Sequence, residues 1–157
     1  MLIVSDTSPI LNLAAIERLE LLRDLYQSIL IPPAVSAELG NNGVVVMHDW
    51  IEVATPLNRA AVQALRADLD AGESEAIVLA LQLNASLLLI DERLGRRAAE
   101  RLGLRVTGLL GILAEAKKRG LIVACGPLLD AMIVRAGFWI GGRLRAEYLS
   151  AVGEGEG

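Results

Sequence analysis

One cysteine and one histidine are all that this 157-residue sequence offers of the softer metal ligands. With Cys125 alone no intramolecular disulfide can form, which fits a reducing compartment. With His48 alone, neither a structural zinc site of cysteines and histidines nor a two-histidine acid–base mechanism can be built within one chain. A Ser-His-Asp triad would need His48, and no G-x-S-x-G nucleophile motif accompanies it. Aromatic residues make up only 3%, so stacking platforms of the single-strand-binding kind are not available in number. No apolar run reaches the roughly 18 residues that a membrane span requires. The most apolar stretch, residues 76–90, is interrupted by Gln82, Asn84 and Ser86. Leu2-Ile3-Val4 runs straight into Ser5 and Asp6 without a basic leader, so no signal peptide, no membrane association and a cytoplasmic location are expected. If the chain is an enzyme, carboxylates must carry its chemistry.

What is present is apolar material and segregated charge. Hydrophobic residues make up 54% of the chain, enough to bury a sheet on both faces. The length fits one domain, expected over residues 1–152, with a frayed tail at 153–157. The net charge of −4 hides an asymmetry. Residues 1–92 hold 13 acids against 4 bases, whereas residues 93–157 hold 6 acids against 11 bases. An acidic half that could hold cations beside a basic half that could rest on phosphates suits phosphodiester chemistry. An ordinary solvated surface would account for the same charges.

Short strand-like runs alternate with amphipathic segments, which predicts an α/β fold with a mainly parallel sheet. Strands are expected at residues 2–5, 28–31, 50–54, 87–90 and 104–106. Ser8-Pro9 is read as the start of the first helix, with Ser8 as its cap. Further helices are expected at 19–25, 34–39, 58–68, 73–83, 93–102 and 109–119, and two more lie within 127–152. Asp70-Ala71-Gly72 is read as a turn, and Gly40-Asn41-Asn42-Gly43 as a helix stop.

In open parallel sheets the functional crevice lies beyond the carboxyl ends of the strands. Asp6 follows the first strand and Asp91 the fourth, so both belong to that edge. Glu38 falls late in the helix after the second strand, and Glu75 falls near the start of the helix preceding Asp91. Carboxylates converging on one crevice repel unless protons or cations neutralise them, and an all-oxygen set suits Mg²⁺ or Mn²⁺. Such ions activate water and stabilise a leaving oxygen in phosphodiester hydrolysis. Taken singly, each acid has a structural explanation, as a helix cap or a partner of the helix dipole.

Several motifs together resemble a known family. Val4-Ser5-Asp6-Thr7-Ser8-Pro9-Ile10-Leu11 looks like the opening of a PIN domain. Pro33-Ala34-Val35-Ser36-Ala37-Glu38-Leu39 resembles the surroundings of its second acid. Gly72-Glu73-Ser74-Glu75-Ala76-Ile77, followed by Leu89-Ile90-Asp91-Glu92, resembles its third and fourth acidic stations. Gly95-Arg96-Arg97-Ala98-Ala99 and Thr107-Gly108-Leu109-Leu110-Gly111 are similar to a PIN-like branch long described as of unknown function. The resemblance spans nearly the whole chain. It implies a three-layer α/β/α domain, usually a homodimer, that cleaves RNA with Mg²⁺ or Mn²⁺. VapC-like ribonuclease toxins are among such proteins, so it also implies a toxin role and an antitoxin protein as partner. Carried over, Asp6, Glu38, Glu75 and Asp91 form the catalytic and metal-binding cluster, with Ser8 as a supporting hydroxyl. Glu73 competes with Glu75 for the third place and Glu92 with Asp91 for the fourth.

Arg93, Arg97 and Arg101 recur every fourth residue, so on a helix they share a face, with Arg96 beside them and Arg105 beyond. They are read as a track for the nucleic-acid backbone, or alternatively as a solvated face partly neutralised by Glu92 and Glu100. Gly103 and Gly108 do not open a phosphate loop, because Leu109-Leu110 stand where Lys-Ser/Thr would be needed. Phe138-Trp139-Ile140 is read as core, with a patch for a dimer mate or an antitoxin peptide as the alternative. The leading expectation is a metal-dependent endoribonuclease. A nucleic-acid- or protein-binding module with an impaired site is the alternative. A phosphatase using Asp6 as nucleophile is the weakest, because Ser8 breaks its Asp-x-Asp pattern.

Overall fold

A computed structural model of the chain describes residues 1–44 and 48–155. Its strands are β1 (Ile3–Ser5), β2 (Ile29–Ile31), β3 (Ile51–Val53), β4 (Leu87–Leu89) and β5 (Val106–Thr107). Every pairing is parallel, in the order β3-β2-β1-β4-β5. The helices are α1 (Thr7–Ala15), α2 (Glu20–Tyr26), α3 (Pro33–Asn41), α4 (Arg59–Leu65), α5 (Ala71–Gln82), α6 (Arg93–Arg101), α7 (Leu109–Lys118), α8 (Gly126–Ala136) and α9 (Gly142–Ala151).

Alternation along the strands builds the three layers. Successive side chains point to opposite faces, so Ile3 and Leu89 join the core beneath α1, α2, α7 and α8. Val4 and Leu88 join the other core, with Ile77 of α5 and Ala99 of α6. The three-layer α/β/α arrangement expected from the sequence is therefore present, and its sheet is wholly parallel. Helix α5 is buried continuously from Gly72 to Ala80, because it packs on α3 as well as on β1 and β4.

Helix boundaries differ from the sequence reading where caps compete. Helix α1 starts at Thr7, so the N-cap is Asp6 and not Ser8. Helix α5 starts at Ala71, two residues early, because Asp70 and Glu73 close a reciprocal capping box. Helix α3 continues through Gly40 to Asn41, and the Asn42 side chain donates to the Glu38 carbonyl at 2.8 Å. Glu154 lies in the stretch expected as a tail. Its carboxylate accepts from Lys117 Nζ and the Cys125 amide, each at 2.8 Å, and from the Gly126 amide at 2.9 Å. Residues 156 and 157 of that stretch lie outside the described residues. No helix among the described residues is long and apolar enough to cross a membrane.

Candidate active site

The sheet order reverses between β1 and β4: chain leaving β1 builds outward to β2 and β3, while β4 builds outward to β5. Ligands of open parallel sheets bind beyond the carboxyl ends of the strands at such a switch point, and Asp6 directly follows β1 there, its amide donating to the Leu89 carbonyl at 2.8 Å. Asp6 occupies the N-cap position of α1, yet its side chain makes no capping hydrogen bond. It is only 4% exposed. Burial pushes its carboxyl up to about 8, against the pull of the Thr7 amide, and the charges of Asp70, Glu73 and Glu38 push the same way.

Gly72 lets two of these acids meet. A Cβ at that position would stand 3.0 Å from Glu38 Oε1 and 3.1 Å from Asp6 Oδ1, so both oxygens close on the space that a side chain would fill. Glu38 is held in this pose by Thr7, whose hydroxyl donates to Oε2 at 2.6 Å. On the other side, Asp70 Oδ1 accepts from the Glu73 amide at 2.8 Å, and Glu73 Oε1 accepts from the Asp70 amide at 3.3 Å. The second Glu73 oxygen faces α6, 2.6 Å from where a Cβ on Gly95 would sit. Burial raises the Glu73 carboxyl to about 7 despite the Asp70 amide, with the negative charges of Asp70 and Glu92 adding to the rise.

The remaining expected residues are placed differently. Glu75 Oε1 accepts from the Ala34 amide and Oε2 from Arg59 Nη1, each at 3.0 Å, which ties α5 to the start of α3 and to α4. Asp91 turns toward α7, where Oδ1 accepts from the Leu109 amide at 3.0 Å. Glu92 is the exposed N-cap of α6. Ser8 accepts from the Asn12 side chain at 3.1 Å and does not touch the acids named above. Arg93, Arg96, Arg97 and Arg101 are all exposed, and none forms an ion pair among the described residues. Arg93 and Arg96 border the recesses around Asp91, whereas Arg97 and Arg101 lie along α4 with Asp68.

Sequence reasoning passed over Thr7, Asp70 and Gly72. Asp70 was legible in principle, since Asp-x-x-Glu is a capping-box spacing. The Gly72 cradle was not, because it depends on α3 packing against α5.

The donor set fits a small hard cation. Among the described residues no group of three histidine, cysteine or carboxylate side chains is arranged as a ready ligand cage. Mg²⁺ requires less: one or two carboxylates, with waters and substrate phosphates completing the shell. Asp6 and Glu38 at the Gly72 cradle supply such a pair, all-oxygen and with one oxygen of each turned to the cradle.

These features first define a class: a doubly wound parallel α/β protein with a cluster of carboxylates at the sheet's switch point. The chain belongs to the PIN-domain family, whose model, described as "DUF3368: PIN domain", matches residues 2–154. Among solved structures it is similar to a PilT N-terminus domain protein from the hyperthermophilic archaeon Sulfolobus solfataricus P2. That likeness has a TM-score of 0.56 at 21% identity, covers 74% of this chain and 93% of the other, and bears on the fold. No curated protein matches the chain.

Proposed function

We propose that the chain is a Mg²⁺- or Mn²⁺-dependent endoribonuclease that hydrolyses phosphodiester bonds in RNA. The observation that carries this reading is the buried Asp6 carboxylate meeting half-buried Glu38 over Gly72, with the charges of Asp70 and Glu73 acting on it. PIN domains are generally nucleases, which supports it. In this reading Asp6 and Glu38 hold the cation, and Glu73 is the third acid beside them instead of Glu75, whose two oxygens are already committed. Thr7 fixes the rotamer of Glu38, and the capping box fixes Glu73. Arg93 and Arg96 hold the RNA backbone through its phosphates. When bound, the cation neutralises the acids, activates a water and stabilises the leaving oxygen. Asp91 acts at one remove, by fixing the start of α7. The resemblance to VapC-like toxins extends the proposal to a cytoplasmic homodimeric toxin restrained by an antitoxin protein. Sedimentation velocity and co-purification with the product of an adjacent reading frame test that extension.

The direct test is cleavage of RNA by the purified protein in Mn²⁺, repeated with Asp6→Asn, beside calorimetric titration of Mn²⁺. Cleavage and Mn²⁺ binding that both depend on Asp6 are expected. Cleavage that survives Asp6→Asn overturns the carboxylate mechanism, and RNA binding with neither cleavage nor Mn²⁺ uptake replaces it with a binding module.

A further inference from the structure

Only five residues of the chain are aromatic. Tyr26 is buried, Tyr148 donates to the Leu110 carbonyl, and Trp50 packs near His48. Phe138 is half-buried against the core, and it anchors its neighbour in the α8–α9 connection. That neighbour, Trp139, is 84% exposed, the one exposed aromatic ring among the described residues. Its ring edge lies beside the backbone at Gly141, where a Cβ would stand 3.7 Å from Cη2.

The surroundings of Trp139 are polar and carry charges of both signs. With Phe138 it walls a recess of about 480 Å³ whose other sides include Ser8, Asn12, Asp91, Glu92 and Arg93. That volume falls within the roughly 300–1,000 Å³ typical of ligand clefts. On its other flank Trp139 borders a smaller recess with Asp91 and Arg96. The recess is therefore reached from α1 two residues beyond Asp6, and from α6 through an arginine that has no ion-pair partner among the described residues. An apolar partner protein would place Arg93 and Asp91 under an uncompensated surface. A ribonucleotide suits all of these, its base lying on the aromatic face, its phosphate on a guanidinium and its 2′-hydroxyl and base N–H groups donating to the carboxylates.

We infer that Trp139 is a stacking platform for an unpaired base of single-stranded RNA, seated in the recess beside Arg93. The inference rests on the ribonuclease reading and adds a base-binding residue to it. A base inside a duplex is stacked on its neighbours and cannot reach such a ring, so the platform selects single-stranded RNA.

The test is binding in EDTA, which needs neither metal nor cleavage. A Trp50→Phe background leaves Trp139 as the sole tryptophan. A short single-stranded oligouridylate should quench its fluorescence, and an RNA duplex of equal length should not. By fluorescence anisotropy in the otherwise unaltered protein, Trp139→Ala should weaken oligouridylate binding about tenfold, while Trp139→Phe retains most of it. Unchanged single-strand affinity in Trp139→Ala overturns the inference, as does a dimer that becomes monomeric on that substitution. The two readings fail separately. Metal-dependent cleavage indifferent to Trp139 removes the platform and keeps the nuclease, whereas Trp139-dependent binding without cleavage does the reverse.

Discussion

Asp6 and Glu154 are both carboxylates at the start of a helix, and the fold treats them in opposite ways. Burial alone would raise the Glu154 carboxyl, but hydrogen bonds from Lys117 and from the Cys125 and Gly126 amides override it and hold the group at about 2. Asp6 has burial opposed only by the Thr7 amide, feels the charges of three other acids and stands at about 8. The same contrast recurs within α5. Glu75 spends both oxygens on Ala34 and Arg59, whereas Glu73 keeps one oxygen clear of the capping box. A carboxylate that serves folding is given donors. One left short of them in a crevice stores unfavourable free energy that a cation can release, which marks a functional site.

The largest expected effect comes from removing the charge of the unsatisfied group. Asp6→Asn should lower Mn²⁺-dependent RNA cleavage by about a thousandfold or more. It should also raise the melting temperature of the metal-free protein at pH 9, where Asp6 would otherwise be ionised in its buried site. Cleavage assays and thermal melts on one preparation check both; a loss of stability at pH 9 would place Asp6 with Glu154 and erase the contrast. Next comes the cradle. Gly72→Ala puts a methyl 3.0 Å from Glu38 Oε1 and 3.1 Å from Asp6 Oδ1, so the acids must spread. Mn²⁺ affinity by calorimetry should fall about 10- to 100-fold, while the fold gains slightly from alanine in the first turn of α5.

The satisfied glutamate of α5 sharpens the contrast from the other side. Glu75→Ala leaves the Ala34 amide without its acceptor and Arg59 without its partner. Arg59 is half-exposed, so the pair is partly screened. A loss of about 2 kcal/mol in denaturant unfolding is expected, with Mn²⁺ affinity unchanged. Calorimetry showing weaker Mn²⁺ binding in a stable Glu75→Ala protein would return Glu75 to the metal site in place of Glu73.

Much of this was legible in the sequence, and what was not has identifiable causes. The strands and their order of appearance follow from apolar runs and turn residues, so an α/β fold with a mainly parallel sheet could be read directly, and the three layers were implied by the family resemblance. Strand ends fix backbone position, so Asp6 could be placed at the crevice from sequence alone. Where a side chain turns cannot be read that way. Asp91 also follows a strand, but β5 brings the Leu109 amide within its reach and the carboxylate goes there. Glu73 and Glu75 lie two residues apart in one turn of α5, on nearly opposite faces, and only the packing of α3 and α4 shows which is occupied. Trp139 read as core because its neighbours Phe138 and Ile140 are partly so, and the ring itself is outside.

The smallest effect is a pH dependence in which the two kinds of carboxylate pull in opposite directions. Asp6 rises from an ordinary 3.8 to about 8 on folding, and Glu73 from 4.5 to about 7. A raised acid binds its proton more tightly in the folded state, so its contribution is complete below the ordinary value and is lost as pH rises through the folded one. Metal-free protein should therefore lose a few degrees of melting temperature between about pH 4 and pH 8. Saturating Mn²⁺ should reverse that loss, since an ion bound only by the folded state restores stability. Glu154 falls from 4.5 to about 2, so its contribution is complete above the ordinary value and is lost as pH drops toward 2. Glu154→Gln should flatten the acid limb and leave the alkaline limb intact, and Asp6→Asn should do the converse. Thermal melts of the three proteins across pH separate the limbs; an alkaline limb that persists in Asp6→Asn at its full height would show that Asp6 is not the group under strain.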